Sequence, residues 1–173
     1  IYQTGMERSL DDAIVNMTSD DIFNAIEKHA RDGVDFMTVH CGVTRSSVEA
    51  LKKSGRITGV VSRGGSFLTA WILHNGQENP LYAEYDKLLE VAREYEFTLS
   101  LGDGLRPGSI HDASDAAQIQ ELVILGGLVE QLDFILVELD ELPGTCLLEF
   151  IELPLKILRD VLRHAAHHAN SDP

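Results

Sequence analysis

The sequence has few cysteines, few basic residues and no long apolar run. Its two cysteines, Cys41 and Cys146, lie 105 positions apart. That spacing gives no disulfide framework and no local CxxC metal or redox pair, so the simplest setting is reducing and cytoplasmic. Lys and Arg number 14 against 28 Asp and Glu, a net charge of −14, which disfavours nucleic acid and anionic membranes as partners. No stretch approaches the ~20 apolar residues of a membrane span, and Ile1 to Asp11 carries charges where a signal peptide needs an apolar core. Low-complexity linkers are missing too, and 44% of the 173 residues are hydrophobic, enough for one sizeable core. The expectation is one domain over 1–168 and a frayed tail at 169–173. Nothing at Ile1 looks like a natural start, which points to part of a longer protein.

The chain alternates helical and strand-like segments. Thr18 with Asp21 forms a capping-box-like start, and Ile22, Ile26 and Ala30 recur at helical spacing until Gly33. Val34 to Val39 then reads as a buried strand ending at His40. A helix over 46–54 leads to a second predicted strand, Ile57 to Val61, ending at Ser62, Arg63, Gly64 and Gly65. Helices follow at 66–74 and 81–95, the latter with Leu81, Tyr85, Leu88, Leu89 and Ala92 on one face. Phe97 to Leu101 is the third predicted strand, and Asp115 to Gln131 a helix with Ile119, Leu122, Val123 and Val129 as its apolar stripe. A fourth predicted strand, Phe134 to Leu139, ends near Glu141, and a last helix carries Leu155, Leu158, Leu162 and Ala165. This order implies parallel pairing through helical crossovers. The fold class is α/β, with about four βα units of a TIM-type barrel.

Each predicted strand ends in polar residues: His40, then Ser62 and Arg63, then Asp103 and Arg106, then Glu141. Carboxyl ends of parallel strands share one face, so residues 22, 41 and 38 positions apart converge there. Ser62-Arg63-Gly64-Gly65 offers a hydroxyl, a guanidinium and accessible N–H groups suited to a phosphate. Asp103 and Arg106 either pair with each other or bind the hydroxyls and charge of a polar ligand. His40 suits a ligand donor or an acid-base group, or simply a hydrogen-bonded core position. His164 and His168 share a helix face, but no acidic or cysteine partner lies nearby, and a helix C-terminus favours histidine for its dipole alone.

The runs DFMTVHCGV (35–43), VSRGG (61–65), HNGQENPLY (74–82) and LSLGDGLRPGS (99–109) closely resemble the phosphomethylpyrimidine synthase family of thiamine biosynthesis. The resemblance is strong over the first 131 residues and loose beyond. It implies a (β/α)8 barrel of which this chain is the middle. It also implies a radical S-adenosylmethionine reaction at a 4Fe-4S cluster held by a C-terminal CxxCxxxxC motif, with zinc as a further metal. The substrate is aminoimidazole ribotide, converted to hydroxymethylpyrimidine phosphate. By position, Tyr2, His40, Ser62, Arg63, Gly64, Asp103, Arg106 and Glu141 match the residues that contact this substrate in the family. Thr145 stands where a zinc-binding histidine is expected, and the cluster cysteines would lie past Pro173. The family reading is thus a substrate-binding half without its cluster ligands. Two alternatives stay open: a non-catalytic half-barrel that self-associates as a homodimer, and another phosphate-binding α/β enzyme using His40 and Glu141 as acid and base.

Overall fold

A computed structural model describes residues 14–139, with side chains as far as 131. The chain divides into two compact units, Ile1–Leu125 and Gly126–Pro173, and the site described below belongs to the first. After a 3-10 turn at Ile14–Asn16 come helix α1 (Ser19–Arg31), strand β1 (Phe36–Val39), α2 (Arg45–Ser54), α3 (Arg63–Asn75), the single-turn α4 (Pro80–Ala83), α5 (Tyr85–Glu94), strand β2 (Thr98–Leu101) and α6 (Ala116–Leu139). β1 and β2 pair in parallel, Phe36 opposite Thr98 and Val39 opposite Leu101. The class is α/β, with a two-stranded parallel sheet and six α-helices among the described residues.

The helices start where local chemistry satisfies their free N–H groups. Thr18 caps α1 in a full capping box with Asp21, and Thr44 caps α2 in another with Ser47. Ile22, Phe23, Ile26 and Ala30 are the buried stripe of α1, as the periodicity predicts. The predicted helix at 81–95 is two helices. Asn79 caps the first, and the backbone departs from helical geometry at Glu84 (φ −113, ψ 38) before α5 begins. Its predicted apolar face holds: Leu81, Tyr85, Leu88 and Leu89 are buried.

Two predicted strands are not strands. Ile57 to Val61 lies outside the sheet, because its backbone is taken by a side chain: the Asp112 carboxylate accepts from the N–H of Ile57 at 3.0 Å and of Thr58 at 3.1 Å. Gly59 adds a left-handed φ of 59°, which an extended ladder does not accommodate. Phe134–Leu139 is the end of α6, not a strand. A six-residue apolar run reads either way by periodicity, and here it continues a helix already under way. The two real strands are also less buried than expected: Phe36 is 66% exposed, and Val39 alone is buried in β1.

The core under the site is formed by Val43, Val48, Leu68, Trp71, Ile72, Leu105 and Ala117. Trp71 donates its indole N–H to the Met17 carbonyl at 2.7 Å, which fastens α3 to the segment before α1. α6 presents a different face from the expected one. Ala117, Glu121 and Leu125, at i, i+4 and i+8, are buried, whereas Ile119, Leu122 and Val123 are about half exposed. No helix among the described residues is long and apolar enough to cross a membrane.

Asp112 makes the stability of this unit acid-sensitive. Hydrogen bonds from Ile57 and Thr58 hold its carboxyl well below the usual carboxylate range. A depressed folded pKa contributes stability that is present above the unfolded value of 3.8 and is lost as pH falls below it. We expect Asp112→Asn to lower the urea midpoint at neutral pH, and the gap from the parent to narrow below pH 3.8. A gap that stays constant with pH would remove Asp112 from the acid limb.

Candidate functional site

Three segments distant in sequence meet beyond the carboxyl end of the sheet. The first is His40, the residue after β1. Its Nδ1 lies 3.0 Å from the Gly102 carbonyl and its Nε2 lies 3.3 Å from the Ser62 hydroxyl. A carbonyl only accepts, so Nδ1 carries the proton and Nε2 accepts from Ser62. Burial holds this imidazole below its ordinary pKa of 6.5, with the Gly102 carbonyl opposing the shift. His40 is therefore neutral at neutral pH, with a fixed tautomer.

The second segment is Ser62-Arg63-Gly64-Gly65, which the structure moves from a strand end to a helix start. Ser62 is the buried N-cap of α3 and accepts from the Gly65 N–H at 3.2 Å. Arg63 and Gly64 form the first turn of the helix, whose N-terminus favours anions. A Cβ at Gly64 would sit 2.3 Å from the His40 ring, so glycine lets imidazole and helix meet. A Cβ at Gly65 would sit 2.0 Å from the Gly104 carbonyl oxygen. That contact joins the second segment to the third.

The third segment is the turn Gly102 to Arg106 after β2. Leu105 is fully buried in the core and anchors it. Asp103 and Arg106 stand exposed on either side, with Arg106 Nη1 donating to the Asp103 carbonyl at 3.0 Å. Their charged groups are 3.7 Å apart, a loose pair that a ligand can replace at little cost. Both readings of these residues therefore have a geometric basis.

The structure brings together His40, Ser62, Arg63, Gly64, Asp103 and Arg106. Tyr2, Glu141 and Thr145 lie outside the described residues, as do Cys146, the predicted final helix and its histidines. Three supporting residues were not singled out from the sequence. Asn79 is fully buried, and its Nδ2 donates to the His40 carbonyl at 2.8 Å. Arg56 donates to the carbonyl of Leu105, and Glu121 accepts from the backbone of the same turn. A buried Asn, Arg and Glu are unusual enough to mark a site once burial is known, but sequence gives no direct sign of it.

The Radical SAM ThiC family profile matches residues 1–165. The chain is 64% identical over 132 residues to the phosphomethylpyrimidine synthase of Moorella thermoacetica, covering 76% of this chain and 31% of that protein. It is 55% identical over 163 residues to phosphomethylpyrimidine synthase 2 of Methanothermobacter thermautotrophicus, covering 93% of this chain and 38% of that one. With phosphomethylpyrimidine synthase 2 of Methanosarcina barkeri the identity is 52% over 166 residues, 95% of this chain and 38% of the relative. The chain thus spans about a third of the length of the curated relatives it matches. Matched along nearly all of its own length, it belongs to the Radical SAM ThiC family.

Proposed function

We propose that this chain is the segment of a phosphomethylpyrimidine synthase that holds aminoimidazole ribotide for conversion to hydroxymethylpyrimidine phosphate in thiamine biosynthesis. One observation carries the reading: His40, the start of α3 and the turn after β2 meet at one end of the parallel sheet. Arg63 and Arg106 supply guanidinium groups for a phosphate in a chain that is otherwise strongly acidic. Asp103 suits sugar hydroxyls, and the neutral His40, both of whose nitrogens are held within the chain, fixes Ser62 at the helix start beside them. Tyr2 and Glu141 complete the proposed contacts. The parallel pairing of β1 and β2 supports a place within a (β/α)8 barrel, and a cytoplasmic setting accords with the sparse cysteines.

The family name implies S-adenosylmethionine and an iron-sulfur cluster, and the family resemblance adds zinc. The described residues do not fit the metals. No group of three His, Cys, Asp or Glu among them is placed to hold an ion. Cys41 is fully buried, which pushes its thiol up to about 12 and keeps it from the thiolate form a cluster needs. We therefore assign these residues to substrate binding alone and derive no radical step from them.

Titration calorimetry with aminoimidazole ribotide tests the proposal. Saturable heat is expected, with Arg106→Ala weakening binding about tenfold or more through loss of a charge-assisted contact. Absence of heat at millimolar ligand contradicts it. The second reading, a self-associating half-barrel, draws on the short two-stranded sheet. Light scattering at twice the chain mass, with no ribotide binding, favours that homodimer.

A further inference from the structure

Glu121 lies on the buried face of α6, 1% exposed, although it is an ionisable residue. Its two oxygens are divided between successive amides: Oε1 accepts from the Gly104 N–H and Oε2 from the Leu105 N–H, each at 2.7 Å. Burying a carboxylate is costly unless both oxygens are used, so the arrangement is specific. A Cβ at Gly42 would sit 2.7 Å from the Glu121 side chain, which shows how closely the residue is held from the β1 side as well. The two amides it occupies lie between Asp103 and Arg106. They are consequently directed away from any ligand, which leaves the anionic part of a ligand to Arg63, Arg106 and the start of α3.

We propose that Glu121 is a positioning residue: its ionised carboxylate sets the backbone of the turn that presents Asp103 and Arg106 to the ligand. The link to ribotide rests on the function proposed above, whereas the grip on the turn does not. Gln at this position offers one acceptor oxygen and turns an NH2 toward the other amide. Asp is shorter by one methylene and cannot span both amides from the same helix. Protonation should act as Gln does, because one oxygen then becomes a donor. Burial pushes Glu121 up to about 6, against the two amide hydrogen bonds. The charged groups that face it among the described residues are Asp103 from the turn, which raises it further, and Arg56 from the segment after α2, which lowers it.

The test has two arms. In the ligand-free chain, the Gly104 and Leu105 amide protons are followed by nuclear magnetic resonance through pH 5 to pH 8, about the range in which a carboxyl near 6 titrates. We expect both to move together with one midpoint near 6, and the movement to vanish in Glu121→Gln. In the second arm, ribotide affinity is measured near pH 8, where its phosphate is about fully charged and Glu121 is ionised. There Glu121→Gln and Glu121→Asp should weaken binding about tenfold to a hundredfold, whereas Glu49→Gln, an exposed carboxylate beside Lys52, leaves it unchanged. Gly104 and Leu105 amides that neither titrate in the parent chain nor move from their parental positions in Glu121→Gln or Glu121→Asp overturn the proposal. Amides that titrate, with parent and Glu121→Gln binding equally, overturn the positioning role. Amides that titrate in a parent that binds no ribotide support the grip on the turn and reject the ligand.

Discussion

Gly65→Ala is expected to abolish most ligand binding. Considered locally the change should help, since alanine in a helix is favoured over glycine by about 1 kcal/mol. The tertiary contact outweighs it. The new Cβ would lie 2.0 Å from the Gly104 oxygen and 2.7 Å from its carbonyl carbon, and both are backbone atoms that cannot rotate away. Relief requires α3 and the turn to separate by roughly 1 Å, a displacement that at a binding site costs about a hundredfold. Overpacking should also lower stability by about 1–3 kcal/mol. Gly64→Ala makes a useful contrast, because its Cβ meets the His40 ring and not backbone. The ring can rotate by giving up its bonds to Gly102 and Ser62, so fold stability should fall less and the imidazole should be displaced. Calorimetry and urea denaturation on both variants check this. A Gly65→Ala chain with parental affinity and stability would mean that α3 and the turn do not touch.

Arg56→Met is expected to destabilise the fold strongly, by about 3–5 kcal/mol. The Arg56 side chain is 2% exposed and holds three parts of the unit at once. Nε and Nη2 donate to the two Asp115 oxygens at 2.6 and 2.7 Å. Nη2 also reaches the Leu105 carbonyl at 2.5 Å, and Nη1 the Gly59 carbonyl at 3.3 Å. Removing the cation strands the Asp115 carboxylate and two carbonyls, a loss of about 3–5 kcal/mol for a buried pair. The double change Arg56→Met with Asp115→Leu should recover part of this, since an apolar replacement of both partners is often nearly neutral. Recovery stays partial because Leu105 and Gly59 still lose their donor. Denaturation of the two single variants and the double variant gives the coupling directly. A cost below about 1 kcal/mol for Arg56→Met would place this pair with exposed ion pairs.

Local patterns were legible in the sequence wherever the determinant lies within a few residues. The capping box of Thr18 and Asp21, the stripe of Ile22, Ile26 and Ala30, and the strands ending at His40 and before Asp103 all follow from short-range chemistry. The convergence of His40 and Asp103 also follows, since they come after the ends of two parallel strands, whereas Ser62 joins them as the cap of α3. What failed depends on distant partners. Ile57 to Val61 has strand composition, but Asp112, more than fifty positions on, takes its amides. On α6 the apolar stripe of Ile119, Leu122 and Val123 is not the buried face. The buried position goes to Glu121, because two backbone amides need a carboxylate there more than the core needs another leucine. α3 starts three residues before the predicted helix at 66–74, since Gly64 and Gly65 are poor helix formers and only the Ser62 cap and the contacts at His40 and Gly104 make them helical.

The proposed function requires three separated segments to form one ribotide site. Its most direct test is a backbone amide shift map of the chain during titration with aminoimidazole ribotide. Saturable changes concentrated at His40, at 62–65 and at 102–106 are expected, all with one dissociation constant. Saturable changes centred elsewhere, or an unchanged map at millimolar ribotide, would contradict it.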